Sequence, residues 1–336
     1  MSPTLKKIEK FFQSIFLSEI KEMFCTRETL KETLARDGVA VIPDVLDEEE
    51  CAAMVSGIWD FLEHITQNWE MPIDRENKAT WREFYKLFPK HGMLLQHFEV
   101  GHAQASWNVR QNPKILEIFE EFWGCAREDL LTSFDGLSFS FPSEITKRGW
   151  HTKTWYHTDQ TFTKPDFQCV QSYVTGLDIE QGDATLSVYE GSHVFHAEFA
   201  EKFGITEKDN LHMLTEEQNA FYAERCKIVN VVSPKGSLVL WDSRTIHCGI
   251  GPRKGRANPK FRAIIYVCYM ERRLASAADL RKKRTAFEER RTTSHYPCKI
   301  KLFPKDPRTY GGPKVICERV PDVVLDSVGR RLAGFD

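Results

Sequence analysis

The chain has 336 residues, of which 46 are Lys or Arg and 48 are Asp or Glu, so its formal charge is −2. With 41% hydrophobic and 28% charged residues, the composition is typical of a globular protein and excludes a disordered or fibrous one. No apolar run reaches the roughly 18–20 residues that a membrane helix needs. We therefore expect one globular domain over residues 1–336, without a membrane span.

The first 130 residues are predicted to be mainly helical. Apolar residues recur at spacings of three or four over residues 5–35, which predicts a helix. A short β-rich run, VAVIPDVL, follows the turn signal at Gly38. Asp47 then has the properties of a helix N-cap. Pro113 begins another helix, which Gly124 can end.

From residue 131 the apolar pattern changes to the period of strands. The segments predicted as strands are LTSFDGLSFSF, CVQSYVTGLDI, ATLSVYEGSH, CKIVNVVS, GSLVLWDS and FRAIIYVCYM. Between them only residues 194–225 show a helical pattern, and strands without alternating helices are typical of an antiparallel sandwich or barrel. We expect a β-rich core over 131–271 and a helical and irregular extension over 272–336, with a helix at 272–291.

The balanced total charge conceals a basic C-terminal third. Between Arg253 and Arg319 there are 19 basic and 6 acidic residues. Such a surplus can attract an anionic substrate, although a solvated helical face explains it as well. The segment RKKRTAFEERR lacks the interleaved aromatic residues of a single-strand nucleic-acid surface. Nucleic acid is therefore not the favoured partner, but the pattern does not exclude it.

The cysteines and the first residues indicate a cellular compartment. The nine cysteines are odd in number and form no C-x-x-C pair, which is typical of a reducing environment. The start of the chain, MSPTLKKIEKFFQSIF, has no uninterrupted apolar region of the kind that a secretory signal needs. We expect a cytoplasmic protein.

The segment WYHTDQTF carries the clearest chemical signal. His157 and Asp159 are two residues apart, so on a strand both side chains point to the same face. His247, in GSLVLWDSRTIHCG, can supply a third ligand. Two histidines and one carboxylate on one face leave coordination positions open, as in non-haem Fe(II) oxygenases. An H-x-D pattern alone also fits a surface Asp beside a core His, so the order of the later motifs decides for the metal.

An arginine follows on the next predicted strand. Arg262 begins FRAIIY, 15 residues past His247. An iron site that uses a keto-acid co-substrate needs a buried cation for the distal carboxylate, and Arg offers two parallel donors. Arg253 and Arg256 are rivals, but they lie in a Gly/Pro/Asn loop that is a poor place for a fixed clamp.

These motifs together resemble the phytanoyl-CoA dioxygenase superfamily of Fe(II)/2-oxoglutarate oxygenases. The resemblance covers roughly residues 35–272 and includes HTD, YEGSH, GSLVLWDSRTIHCG and RAIIY, with DGVAVIPDVLDEEEC opening the domain. It implies a double-stranded β-helix, or jelly roll, with flanking helices. It also implies Fe(II), 2-oxoglutarate and O2 as cofactor and co-substrates.

The resemblance also implies roles for individual residues. His157, Asp159 and His247 would be the iron ligands, and Arg262 would bind 2-oxoglutarate. Tyr173 and Gln171 are candidates to lie beside the co-substrate, although both fit ordinary strand positions. Two features depart from the family: Arg262 comes later than usual, and Gly249 stands where many members have Ser or Thr. Because Asp159 is present, hydroxylation or a related oxidation is favoured over halogenation.

The sequence leaves the substrate open. Lys153, Trp155 and Arg110 are candidates to contact it, and each fits a packed aromatic loop equally well. A small or lipid-like, possibly anionic, molecule is the first hypothesis. The same oxygenase chemistry on a protein or nucleic acid is an alternative, and a jelly roll that binds metal or ligand without turnover is another.

The remaining histidines are predicted to lie outside the metal site. His151 is the only competitor as a ligand, but six residues of strand separate it from His157 by about 20 Å. His193 fits a turn, and His196 a surface position. The others given no functional role are His91, His97, His102, His212 and His295.

Overall fold

A computed structural model describes residues 23–87, 94–148, 154–256 and 258–336. Its helices are α1 (Leu30–Asp37), α2 (Glu48–Thr66), α3 (Gln104–Arg110), α4 (Pro113–Trp123), α5 (Ser143–Thr146), α6 (His196–Phe203), α7 (Glu216–Ala223), α8 (Ala277–Glu288) and α9 (Ser327–Leu332). Its strands are β1 (Val39–Ile42), β2 (Leu130–Thr132), β3 (Leu137–Ser140), β4 (His157–Thr158), β5 (Val170–Thr175), β6 (Thr185–Tyr189), β7 (His212–Met213), β8 (Ile228–Asn230), β9 (Leu238–Asp242), β10 (His247–Ile250), β11 (Arg262–Tyr266) and β12 (Tyr269–Glu271).

Two five-stranded antiparallel sheets form the centre of the molecule. The first has the strand order β1-β9-β5-β11-β3, and the second has the order β7-β4-β10-β6-β8. A short third sheet pairs β12 with β2. Neighbouring strands within each large sheet are far apart in the chain, as the jelly-roll topology requires. The predicted fold, a mainly β jelly roll with flanking helices, is confirmed.

An apolar cluster fills the space between the two large sheets. Alternate residues of the first sheet, among them Val239 and Ile264, pack there against Leu186 and Val188 of the second. The larger cluster lies on the other face of the first sheet, where helix α2 and the aromatic side chains of Trp59, Phe139 and Phe141 pack together. A polar side chain on the inward face of either sheet is therefore surrounded by apolar residues, and its burial costs free energy unless it has a partner.

Several predicted helix boundaries agree with the structure because the capping residues specify them. Asp47 accepts a hydrogen bond from the Glu50 amide, and the Glu50 side chain accepts one from the Asp47 amide, which closes a capping box at the start of α2. Helix α4 begins at Pro113 and ends at Gly124, whose φ of 67° is the left-handed cap that glycine adopts without strain.

Two predicted helices differ from the structure. The prediction over 5–35 is wrong for residues 23–29, because the Met23 carbonyl and the Cys25 amide bond to Val41 at the edge of β1, and α1 begins only at Leu30; the preceding residues lie outside the described part of the chain. Residues 194–225 form two helices rather than one, because Gly204 ends α6 in a left-handed conformation. None of the described helices is long and apolar enough to cross a membrane.

Candidate metal centre

Strand pairing brings the two predicted histidine ligands together. β4 pairs with β10 in antiparallel register, and His157 lies directly opposite His247. Their rings are 4.3 Å apart between centroids. Residues opposite each other in an antiparallel pair project from the same face. The two imidazoles therefore lie side by side on one face of the sheet, although 90 residues separate them in the chain.

Asp159 follows β4 and completes a three-residue group. Its Oδ2 atom lies 3.8 Å from His157 Nε2 and 3.5 Å from His247 Nε2. One ligand atom from each of the three residues lies within 4.8 Å of the others. All three side chains are largely shielded from solvent, with exposures of 7%, 21% and 6% in chain order. This spacing and donor set fit a metal that leaves open coordination positions.

The ring orientation of both histidines is fixed by hydrogen bonds to backbone carbonyls. His157 donates from Nδ1 to the Trp155 carbonyl at 3.1 Å, and His247 donates from Nδ1 to the Thr245 carbonyl at 2.9 Å. These bonds assign the proton to Nδ1 in each ring and leave the Nε2 lone pair for a metal. The Trp155 ring also stacks on His157, with 4.2 Å between centroids and 7° between planes.

The local electrostatics favour the ligand forms of these residues. Burial, reinforced by the charge of His247, lowers the pKa of His157 to about 4, so the imidazole is neutral at physiological pH. Burial works to raise the pKa of Asp159, but the neighbouring imidazoles outweigh it and hold that pKa well below its ordinary value. A neutral imidazole and an ionised carboxylate are the forms that bind a metal ion.

Gln171 lies against the candidate metal ligands. Its side-chain amide donates to Asp159 Oδ2 at 2.9 Å, which orients the carboxylate. Its own Oε1 atom is buried and has no hydrogen-bond partner among the described residues. Gln171 therefore has a second contact to make with something bound in the cavity, or with water.

Arg262 and Tyr173 lie further along the inward face of the first sheet. Arg262 is 5% exposed, and it donates from Nε to the Ser138 hydroxyl and from Nη1 to the Ala184 carbonyl. Its guanidinium lies 5.7 Å from the centre of the Tyr173 ring, whose hydroxyl is buried without a partner among the described residues. Burial raises the pKa of Tyr173 to about 12, so this hydroxyl stays protonated.

The protein partners of Arg262 differ from those of the two alternative arginines, Arg253 and Arg256. Arg256 binds Glu144 and Asp183 at 2.9 and 2.6 Å, so protein carboxylates already neutralise it. Arg253 lies against Gly182 in the same loop region. No carboxylate of the described residues is within ion-pair distance of Arg262. A buried cation without a counter-ion fits a site for an anion, such as the distal carboxylate of 2-oxoglutarate.

The residues predicted to contact substrate differ in position. Trp155 is partly exposed and lies beside His157. Arg110 is fully buried, and its guanidinium donates to the carbonyls of Gly101 and Asp135, so it serves the packing of the chain there. Lys153 lies outside the described residues.

The histidines predicted to lie outside the metal site include one that is near it. His295, from the C-terminal extension, has its Nδ1 atom 4.0 Å from Asp159 Oδ2. No motif or spacing marks His295 in the sequence, because its position depends on how the extension folds back. His196, predicted at the surface, is instead buried and points Nε2 at the Thr161 carbonyl; His193 is also buried and points at the Ala35 carbonyl. His91 and His151 lie outside the described part.

A jelly roll with two histidines and one carboxylate on its inward faces defines the class of mononuclear iron oxygenases. The family model described as Phytanoyl-CoA dioxygenase (PhyH) matches residues 34–251, and the chain belongs to this family. Its members depend on Fe(II) and 2-oxoglutarate, so the predicted cofactors agree with the family. Arg262 and His295 lie beyond the matched segment.

Three similar proteins extend this comparison. "Ava biosynthesis cluster protein O" of Aspergillus versicolor is 25% identical over 276 residues, covering 80% of this chain and 85% of that protein. A putative oxidoreductase from Salmonella typhimurium LT2 superposes with a TM-score of 0.56 at 12% identity, covering 98% of this chain and 89% of that one. GlcNAc Inducible Gene 2 from Candida albicans gives a TM-score of 0.55 at 13% identity, with coverages of 85% and 75%. At these identities the two solved structures support the fold.

Proposed function

We infer that this protein is an Fe(II)- and 2-oxoglutarate-dependent hydroxylase of a small or lipid-like molecule. The observation that carries the proposal is the His157–Asp159–His247 group, whose ligand atoms lie within 4.8 Å of one another. When bound there, iron together with 2-oxoglutarate supplies the activation of O2 that oxidises a substrate C–H bond and releases succinate and CO2. The surrounding residues would bind and orient the metal and the co-substrate, and they would exclude water.

Each residue of the site has a role in this proposal. His157 and His247 present their Nε2 lone pairs, because their Nδ1 protons are donated to backbone carbonyls. Gln171 orients the Asp159 carboxylate. Arg262 binds the distal carboxylate of 2-oxoglutarate through two parallel donors, and the Tyr173 hydroxyl can donate a further hydrogen bond to the co-substrate.

Hydroxylation is the favoured outcome within the family chemistry. Residue 159 is an aspartate, so the site offers three protein ligands and does not leave the place of one of them to a halide. A hydroxylated product retains one oxygen atom from O2, which distinguishes it from the product of a desaturation.

The contacts of the basic C-terminal third support a small-molecule substrate over nucleic acid. Many of its cations already have acceptors within the protein: Arg256 binds Glu144 and Asp183, Lys282 binds the Ile300 carbonyl, and Arg284 binds the Gly334 carbonyl. A cation committed to the protein is less available to phosphate groups. None of the nine cysteines, all of which lie in the described part of the chain, forms a disulfide, and most are buried, which supports a cytoplasmic location.

The test is anaerobic reconstitution with Fe(II) and 2-oxoglutarate, followed by admission of O2. We expect the wild-type protein to bind iron and to form succinate. His157→Ala should weaken iron binding by at least about 100-fold, because a ligand is lost. His212→Ala is the matched control, since His212 lies in the same sheet but bonds Gln218. If no succinate forms and His157→Ala leaves iron affinity unchanged, the proposal is wrong.

The reaction type needs a separate measurement. With an accepted substrate, mass spectrometry of the product should show the addition of one oxygen atom, derived from labelled O2. A product that has lost two hydrogen atoms instead would replace hydroxylation with desaturation.

A further inference from the structure

His295 is a fourth imidazole beside the three candidate iron ligands. Its Nδ1 atom lies 4.0 Å from Asp159 Oδ2, but among the described residues the group that could hold a metal consists of His157, Asp159 and His247. Its side chain is 14% exposed. His295 is therefore close enough to act on what the iron binds without being one of its protein ligands.

The C-terminal extension fixes His295 in this position through its neighbours in sequence. Thr293 donates its amide to the Phe134 carbonyl at 2.9 Å and accepts the Phe134 amide on its hydroxyl at 3.0 Å. Tyr296 donates its hydroxyl to the Asp159 carbonyl at 3.4 Å. Contacts on both sides of His295 thus tie it to the jelly roll, one of them at the metal-binding residue itself.

The contacts between Thr293 and Phe134 lie at the opposite end of the first sheet from Arg262. Arg262 pairs with Ser140 at one end of β11, and Tyr266 ends the strand about 13 Å away. Beyond Tyr266 the chain continues to Cys268, whose carbonyl accepts the Ser133 amide next to Phe134. Arg262 and His295 therefore approach the candidate metal ligands from different ends of β11.

The second ring nitrogen of His295, Nε2, is buried and forms no hydrogen bond with any residue in the described part of the chain. The Nδ1 edge faces the Asp159 carboxylate, which can only accept, so the tautomer with the proton on Nδ1 is favoured. Nε2 then presents a lone pair and needs a donor.

We propose that His295 is an outer-sphere residue of the iron site, whose Nε2 accepts a hydrogen bond from a water bound to the iron. The inference rests on the proposed function, because it requires iron and 2-oxoglutarate in the cavity. With iron held by His157, Asp159 and His247, this hydrogen bond would retain the water in the absence of substrate. It is a positioning residue, because it contacts neither co-substrate nor substrate in this state.

The expected consequence is that His295 limits oxidation of 2-oxoglutarate in the absence of substrate. A retained water would keep one position of the iron closed to O2 and so would suppress the unproductive reaction. His295→Leu removes both ring nitrogens, whereas His295→Gln offers an acceptor oxygen in place of Nε2. His97→Leu is the matched control, because His97 also contacts the C-terminal extension, through the Pro304 carbonyl.

The first measurement is near-infrared magnetic circular dichroism of the anaerobic Fe(II)–2-oxoglutarate protein, which reports the number of ligands on the iron without turnover. We expect a six-coordinate spectrum for the wild-type, His295→Gln and His97→Leu proteins. His295→Leu should show an increased five-coordinate component. The second measurement is succinate formed with O2 and no substrate, for which we expect His295→Leu to exceed wild type by about three- to tenfold, the effect of one hydrogen bond.

Superimposable spectra and equal succinate formation in wild type and His295→Leu would overturn the proposal. If His295→Leu fails to fold or to bind iron, His295→Gln decides: wild-type iron affinity and spectrum support the outer-sphere role, and loss of iron contradicts it. A wild-type protein that binds neither iron nor 2-oxoglutarate would instead disprove the proposed function itself, which is a separate result.

Discussion

The interior of the jelly roll and the C-terminal extension over residues 272–336 each bury a cation, but the surroundings of the two cations differ. In the jelly roll, Arg262 shares an inward face with Gln171 and Tyr173, whose Oε1 and Oη atoms are buried without a partner among the described residues. In the extension, buried Lys283 donates to the carbonyls of Thr132 and Pro297 and lies 4.3 Å from the centre of the Phe134 ring.

The difference shows that burial of a cation does not by itself indicate a binding site. Lys283 and Arg262 are both buried, and neither has a carboxylate partner among the residues described. Lys283, however, is surrounded by backbone carbonyls and an aromatic face, whereas Arg262 lies beside the unpartnered Tyr173 hydroxyl on the face that carries Gln171. Unpartnered polar atoms that share one face with a buried charge mark the place of a ligand.

The largest effect should separate these two cations. We expect Arg262→Leu to raise the Kd for 2-oxoglutarate by about 100-fold, because two charge-assisted hydrogen bonds to the distal carboxylate are lost. The free energy of unfolding should change by no more than about 2 kcal/mol, because the loss of the hydrogen bonds to Ser138 and the Ala184 carbonyl is offset by the removal of a buried charge that has no counter-ion among the described residues. Anaerobic titration of 2-oxoglutarate and urea unfolding measure the two quantities.

Lys283→Met provides the control for this comparison. It removes a buried cation of the C-terminal extension and should leave the affinity for 2-oxoglutarate within about twofold of wild type, because Lys283 donates its hydrogen bonds to backbone carbonyls. A similar loss of affinity in both variants would mean that the two cations do not differ in function.

The second effect concerns the orientation of the metal ligand. Gln171→Leu removes the hydrogen bond to Asp159 Oδ2 and should weaken Fe(II) binding by about 10-fold or more. Gln171→Glu is the matched variant, because Glu has the same length as Gln. Its ionised carboxylate would repel the Asp159 carboxylate in the absence of metal. Calorimetric titration with Fe(II) under anaerobic conditions measures both. Unchanged affinity in Gln171→Leu would show that Asp159 needs no such support.

The third effect, small for each single pH unit, is a pH dependence of stability at Lys283. Burial lowers the pKa of this ammonium to about 7, whereas in the unfolded chain it is close to 10.5. Between these values the unfolded chain binds a proton that the folded chain does not, so the free energy of unfolding should rise as the pH rises through this range. Below pH 7 both states are protonated, and the contribution of Lys283 becomes constant.

Urea unfolding at pH 7, 8 and 9 tests this dependence. The difference in unfolding free energy between wild type and Lys283→Met should change with pH, in favour of wild type at the higher values, by on the order of 1 kcal/mol per unit. A difference that stays constant with pH would contradict the lowered pKa of Lys283.

The sequence determined the elements of the fold and the residues of the metal centre that belong to local motifs. Capping residues such as Asp47 and Gly124 specify helix ends through contacts within a few residues. The H-x-D spacing places His157 and Asp159 on one side of a strand by backbone geometry alone. The later motifs offered His247 and Arg262 as candidates, and the family resemblance then implied their roles and the cofactors.

Only the tertiary structure decided which residues complete the site. The register of β4 on β10 sets His157 opposite His247, and the return of the C-terminal extension over Phe134 brings His295 to Asp159. The partners of each cation also depend on the fold, since Arg256 meets carboxylates from distant segments and Arg262 meets none in the described chain. Contacts between residues far apart in the sequence depend on packing against other elements. No periodicity or spacing in the sequence therefore predicts them.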